Sequence, residues 1–176
     1  MRDEKVAEFL ETIWIVFYAI ILSIVFRTLA YEPFNIPSSS MEPTLLVGDY
    51  LFVSKLSYGY SRYSLPFGLP LIPGRVLFTP PERGDVAVFK LPRDNETDYI
   101  KRIISLPGDR IQVTEGRLYI NDEMVERKHI GEYVIRINRG DFKSMPLYLE
   151  TLPNGRSHGI IEISDEMTLD NTDEFL

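Results

Sequence analysis

The 176-residue chain contains no cysteine, which excludes disulfides, a thiolate nucleophile and a cysteine-based zinc site. Histidine is nearly absent as well. His129 and His158 stand far apart, and neither belongs to an H-x-x-x-H or H-E-x-x-H spacing, so no metal and no cofactor is expected. Basic residues are the minority, 19 Lys and Arg against 26 Asp and Glu, and the net charge of −7 argues against a nucleic-acid footprint. Repeats and low-complexity tracts are missing, and so are long apolar runs apart from one near the N-terminus. What remains, 44% hydrophobic and 26% charged, is the composition of one globular domain able to bury a core.

That one run is apolar from residue 13 to 26 apart from Ser23, and tolerant enough to extend over residues 9–30. As a helix rising ~1.5 Å per residue it would span about 33 Å, enough to cross a hydrocarbon core of ~30 Å. Trp14 and Tyr31 suit the interfacial aromatic belts, and Arg27 can snorkel at the far edge. A helix apolar on all sides has little to bury it in a small domain. The residues before it mix acidic and basic side chains (Arg2, Asp3, Glu4, Lys5), unlike a cleaved signal peptide. An uncleaved anchor is expected over residues 1–31, with a β-rich body over residues 32–176. Arg2 and Lys5 against Arg27 favour the N-terminus inside and the body outside.

Beyond residue 45 no segment keeps a helical period. Short β-branched and aromatic runs at residues 50–53, 85–89, 99–104, 110–113, 117–120, 133–137 and 147–151 predict strands. Pro107 and Gly108 fill the central places of a type II turn. Asn121-Asp122 and Pro153-Asn154-Gly155 predict hairpins, the second leading into residues 159–163. The fold class is mainly β, an antiparallel sheet or barrel-like body behind a single transmembrane helix. Residues 63–74 are apolar but broken by Pro and Gly, and predict a loop resting on the membrane surface through Phe67, Leu69 and Leu71.

Between the anchor and the body, Pro37 and Pro43 enclose three serines. Proline fixes its own φ and pushes the preceding residue toward extended geometry, so Ser38, Ser39 and Ser40 sit on a stiff segment suited to aiming a hydroxyl. A Ser-rich linker is the ordinary reading of the same residues. A serine needs a base. His129 lies in a charged run expected to be a solvated connection, and His158 in a Gly-Arg-Ser-His-Gly turn. Lys101 has a more suitable setting. On a strand it shares its face with Tyr99 and Ile103, and burial among such neighbours disfavours the ammonium. A strand lysine snorkelling to solvent is the plainer alternative.

Three stretches carry a resemblance: Ser38-Ser39-Ser40-Met41-Glu42-Pro43-Thr44-Leu45, then Arg83-Gly84-Asp85-Val86-Ala87-Val88-Phe89, then Tyr99-Ile100-Lys101-Arg102-Ile103-Ile104-Ser105-Leu106-Pro107-Gly108-Asp109. In order and spacing they resemble successive motif boxes of the bacterial type I signal peptidases. The resemblance implies a serine endopeptidase of the bacterial inner membrane, single-pass with its catalytic body on the outer side, removing signal peptides from exported precursors. Ser40 would be the nucleophile and Lys101 the general base. Ser38, through its hydroxyl, and Ser40, through its backbone N–H, would bind the oxyanion. Phe34, Ile36, Pro37, Met41, Leu45, Tyr99 and Ile100 match positions lining substrate pockets for small side chains, as in Ala-x-Ala sites. The implied partners are signal-peptide-bearing precursors and membrane lipid, with no nucleic acid and no metal.

The family pattern continues into a further Gly-Asp-Asn-Arg-Asp-Asn-Ser type box, which orients the lysine. Asp170-Asn171-Thr172-Asp173 is similar to it only superficially, and the chain is expected to be a piece of a longer protein. Two alternatives stay open: a self-cleaving Ser/Lys peptidase, and an anchored β-domain that binds extended peptides without cutting them.

Overall fold

A computed structural model describes residues 2–65, 68–136, 141–162 and 171–175. The chain forms two compact units, one of residues 1–35 and 50–80 and the other of residues 36–49 and 81–176.

The first unit begins with α1, Arg2–Leu29, which contains a stretch, Lys5–Leu29, long and apolar enough to cross a membrane. Its apolar side chains from Val6 to Leu29 are exposed, as expected of a helix with nothing of its own chain to pack on. β1 (Tyr31–Asn35) follows and pairs antiparallel with β2 (Tyr50–Ser54), Tyr31 opposite Ser54 and Asn35 opposite Tyr50. β1 was not among the expected strands; its Pro33 is tolerated because β1 lies in a two-stranded ribbon. Glu32 holds the junction by ion pairs to Arg27 at 3.2 Å and Lys55 at 3.0 Å, and Tyr60 Oη donates to the Leu29 carbonyl at 2.6 Å.

β3 (Tyr60–Ser61) and β4 (Arg75–Val76) form a short ladder at the base of the apolar loop. Gly59, at φ +76°, lies so close that an added Cβ would stand 2.4 Å from the carbonyl oxygens of Val76 and Leu77. Within the loop Leu69 and Leu71 are exposed, while Phe67 lies outside the described residues.

In the second unit the predicted strands appear as β5 (Val86–Lys90), β6 (Asp98–Arg102), β7 (Ile111–Thr114), β8 (Arg117–Ile120), β9 (Glu123–Met124), β10 (Glu126–Arg136), β11 (Phe142–Thr151) and β12 (Ser157–Ile161). They group as β5–β6, β7–β8–β9 and β10–β11–β12, all antiparallel. The mainly β, antiparallel class is borne out; among the described residues no sheet closes into a barrel. Asn121 and Asp122 both take positive φ, 55° and 67°, in the β8–β9 hairpin, a conformation Asn and Asp tolerate. The 152–156 turn closes by Leu152 N–H to Arg156 O at 2.9 Å, and Asp109 N–H reaches Leu106 O at 3.0 Å over Gly108 at φ +93°. Residues 171–175 run along the outer edge of β7, where Ile111 and Phe175 exchange backbone hydrogen bonds of 2.8 and 2.9 Å.

The core of this unit is small: Ile120, Val125 and Leu152, with Ile104 and Leu118 packed against it. Two expectations about the histidines are corrected. His129 lies within β10, not in a connection, although it is exposed there. His158 belongs to β12 and its side chain is largely buried, because the turn closes at Arg156 and the β11 register sets His158 opposite the buried Glu150. Their side chains approach to 3.4 Å (Nε2 to Oε2). Burial raises Glu150 above the usual carboxylate range against the pull of Arg127 and Arg117. Burial, with the Arg102 charge, pushes His158 down to about 4. Arg127 completes the cluster with an ion pair to Glu162 at 2.9 Å, and its guanidinium stacks on Tyr148.

Candidate active site

Residues 36–49 form a strap closed at its own base. Ile36 N–H donates to Asp49 O and Gly48 N–H to Ile36 O, both at 2.9 Å, and Ile36 is buried. Asp49 caps the return by accepting from Leu46 N–H at 2.8 Å. The serines therefore do not lie on a free linker. Ser38 is extended at φ −133° and ψ 152°, and the next three residues, Ser39–Met41, make one 3-10 turn. Glu42 N–H to Ser39 O and Leu45 N–H to Met41 O, each 3.0 Å, wrap the turn, while buried Met41 holds it from below. Ser40 is left at the exposed crest.

β6 supplies the partner. Its antiparallel register with β5 sets Lys101 opposite Ala87, whose small side chain leaves room beside the lysine stem. Lys101 Nζ is hydrogen-bonded to Ser40 Oγ, and it also lies 5.7 Å from the centroid of the Tyr99 ring on the same strand face. Ser38 Oγ stands 3.2 Å from Ser40 Oγ. Two hydroxyls and one amine are thus gathered at the solvent boundary, half-buried on the lysine side.

The other residues singled out in the sequence fall as follows. Pro37 and Leu45 lie on the strap, exposed and half-buried; Ile36 and Met41 are buried in it. Tyr99 and Ile100 lie on β6 beside Lys101, Tyr99 more exposed. Phe34 lies on β1, in the first unit.

Several supporting residues had no role in the sequence reading. Arg102, next to Lys101, donates through Nη2 to Thr44 Oγ1 at 3.1 Å and through Nη1 to Gly84 O at 2.8 Å, tying the strap, β6 and the loop before β5 together. Burial lowers the Arg102 pKa, but a guanidinium stays charged. Gly84, at φ +93°, is braced from outside by Arg156, which pairs with Glu82 and Asp85. Past β6, Asp109 accepts from Leu106 N–H at 2.6 Å, Asn121 Nδ2 at 2.8 Å and Arg83 Nη2 at 2.9 Å. These donors hold its carboxyl down at about 2. Arg83, Gly84, Arg102 and Asp109 sit inside the quoted stretches and could have been flagged there. Tyr133 and Gly159, which touch the strap from β10 and β12, lie outside them and carry no sequence signal of their own.

The family model described as "Signal peptidase, peptidase S26" matches residues 9–159. Relatives named "Signal peptidase I" include one from Rickettsia typhi, 47% identical over 80% of this chain and 53% of its own length. Those from Rickettsia canadensis and Rickettsia akari are 45% and 44% identical over 80% and 82% of this chain, and 52% and 54% of theirs. The chain belongs to the signal peptidase family, peptidase S26, with the type I signal peptidases. It spans about half the length of the curated relatives it matches.

Proposed function

We propose that the chain is a membrane-bound serine endopeptidase that removes signal peptides from exported precursors, with Ser40 as nucleophile and Lys101 as general base. The observation that carries this reading is the hydrogen bond between Lys101 Nζ and Ser40 Oγ, which link residues 61 apart in sequence. In the reactive state the amine is neutral. It takes the hydroxyl proton along this contact as Oγ attacks the scissile carbonyl, and the leaving amine recovers the proton. The tetrahedral oxyanion is bound by Ser40 N–H and the Ser38 hydroxyl, which turns from Ser40 Oγ toward the new charge; each donor lowers the barrier by about 2.7–4 kcal/mol. Water then hydrolyses the acyl-enzyme, activated by Lys101 in the same role.

The precursor lies extended along residues 36–38, as strand addition requires, with small residues such as Ala at the first and third places before the cut. Pro37, Leu45, Tyr99 and Ile100 are its neighbours, over a floor of Ile36 and Met41. Residues 1–31 act as tail and anchor and residues 32–176 as the peptidase body, held on the outer face of the bacterial inner membrane. The exposed apolar loop rests on lipid there.

The test is cleavage of an Ala-x-Ala precursor in detergent by the parent, Ser40→Ala, Lys101→Ala and Ser38→Ala. Cleavage by the parent, none by the first two variants, and a kcat about 10²–10³-fold lower in the third are expected. Binding of the precursor without cleavage by the parent would replace the peptidase by a peptide-binding domain.

A further inference from the structure

The three residues that follow the Ser40 turn each meet a different strand. Glu42 faces the Tyr133 hydroxyl on β10, and burial together with the nearby Glu42 carboxylate raises the phenol's pKa. Pro43 packs on the backbone of Gly159 on β12, where an added Cβ would stand 2.9 Å from Pro43 Cγ. Thr44 is held by Arg102 on β6. Two of these three supports come from the β10–β11–β12 sheet, which supplies neither member of the Ser40–Lys101 pair.

We propose that Tyr133 and Gly159 are positioning residues, which set the depth of the 39–41 turn and through it the approach of Ser40 Oγ to Lys101 Nζ. The inference rests on the reading of Ser40 and Lys101 as the reacting pair. The mechanical link is short. Pro43 is stiff at φ, and the backbone hydrogen bonds from Glu42 to Ser39 and from Leu45 to Met41 couple residues 42–45 directly to the turn. A methyl at position 159 has the Pro43 ring in its way and also meets Leu147 Cδ1 at 3.8 Å, so the ring must give by some tenths of an ångström. Removing the Tyr133 hydroxyl takes away the group that Glu42 faces on β10 without changing the shape of the ring. Neither residue touches a substrate in this arrangement. Each acts through Glu42 or Pro43.

Reaction rates are steep in such displacements: a misplacement of 1 Å costs on the order of 10²-fold. Gly159→Ala and Tyr133→Phe are therefore expected to lower kcat by about 3- to 10-fold with KM unchanged. Val134→Ala, at an exposed neighbour on β10, should behave as the parent. The double variant Tyr133→Phe/Glu42→Ala should lose no more than Glu42→Ala alone, because the hydroxyl acts through that carboxylate. Hydrogen exchange at the Glu42 and Leu45 amides should quicken in both single variants while the β7–β8 amides keep the parent rate.

Parent-like kcat in Gly159→Ala and Tyr133→Phe would overturn the proposal. So would exchange that rises equally throughout the body, since that marks general loosening. If the parent itself cleaves nothing, the assignment of Ser40 and Lys101 fails, and the exchange data alone judge the support of the turn. Unchanged rates at Glu42 and Leu45 would then reject it, and locally faster rates would uphold it.

Discussion

The buried His158 makes stability depend on pH in a calculable way. Its folded pKa of about 4 lies below the ordinary value of 6.5, because burial and the Arg102 charge both oppose the imidazolium. A depressed histidine contributes stability that is present above pH 6.5 and is lost as pH falls toward 4, since the unfolded chain binds the proton first. Between pH 8 and pH 5 the loss from this one group is about 2 kcal/mol, and its ceiling below pH 4 is about 3 kcal/mol. Glu150, 3.4 Å away, works in the other direction: its raised pKa favours the folded state as the carboxyl takes up a proton. The informative quantity is therefore the difference between the parent and His158→Gln, not the slope of either alone.

Urea unfolding in detergent, followed by near-UV circular dichroism at several pH values, measures it. With a urea slope of about 1–3 kcal/mol/M, the parent midpoint should fall relative to the variant by roughly 1 M between pH 8 and pH 5. Parallel midpoint curves for parent and variant would refute the reasoning. They would mean that folding leaves the His158 pKa where the unfolded chain has it, whereas an ion pair with Glu150 would raise the parent midpoint relative to the variant as pH falls.

Three further outcomes are expected. Leu152→Ala empties part of the small core shared with Ile120 and Val125 and should cost about 2–5 kcal/mol in chemical denaturation. Gly59→Ala drives a methyl into the carbonyls of Val76 and Leu77 at a positive φ, so it should cost more than ~1 kcal/mol and lower the Tm. Asp109→Ala leaves Leu106 N–H, Asn121 and Arg83 without their shared acceptor and should lower the thermal midpoint, whereas Asp122→Ala, which removes one exposed pair with Arg110, should scarcely move it.

Strand positions were readable wherever β-branched or aromatic residues ran between turn residues, as in β5, β7 and β8. Lengths were not. β10 reaches back through Glu126-Arg127-Lys128-His129, and β11 passes through Pro146, because pairing between two long strands overrides the weak preferences of charged residues and proline. The burial of His158 was illegible, since a Gly-Arg-Ser-His-Gly run reads as a turn and Glu150 becomes its neighbour only through register. For the candidate site, alternation on β6 showed Tyr99 and Lys101 on one face, but the nomination of Ser40 and Lys101 as a pair came from the family resemblance. Tyr133 and Gly159 could not have been picked out. One contributes a hydroxyl and the other an absence of side chain, and both matter only through packing that no local pattern encodes.

Residues 171–175 lying along β7 also bear on how the protein behaves in a crowd. Thr172 and Phe175 satisfy backbone groups of Val113 and Ile111 that would otherwise face outward as a bare ladder. An unoccupied ladder of that kind is a template on which a neighbouring molecule can add a strand. With its own chain filling the place, this edge of β7 is closed to an incoming strand.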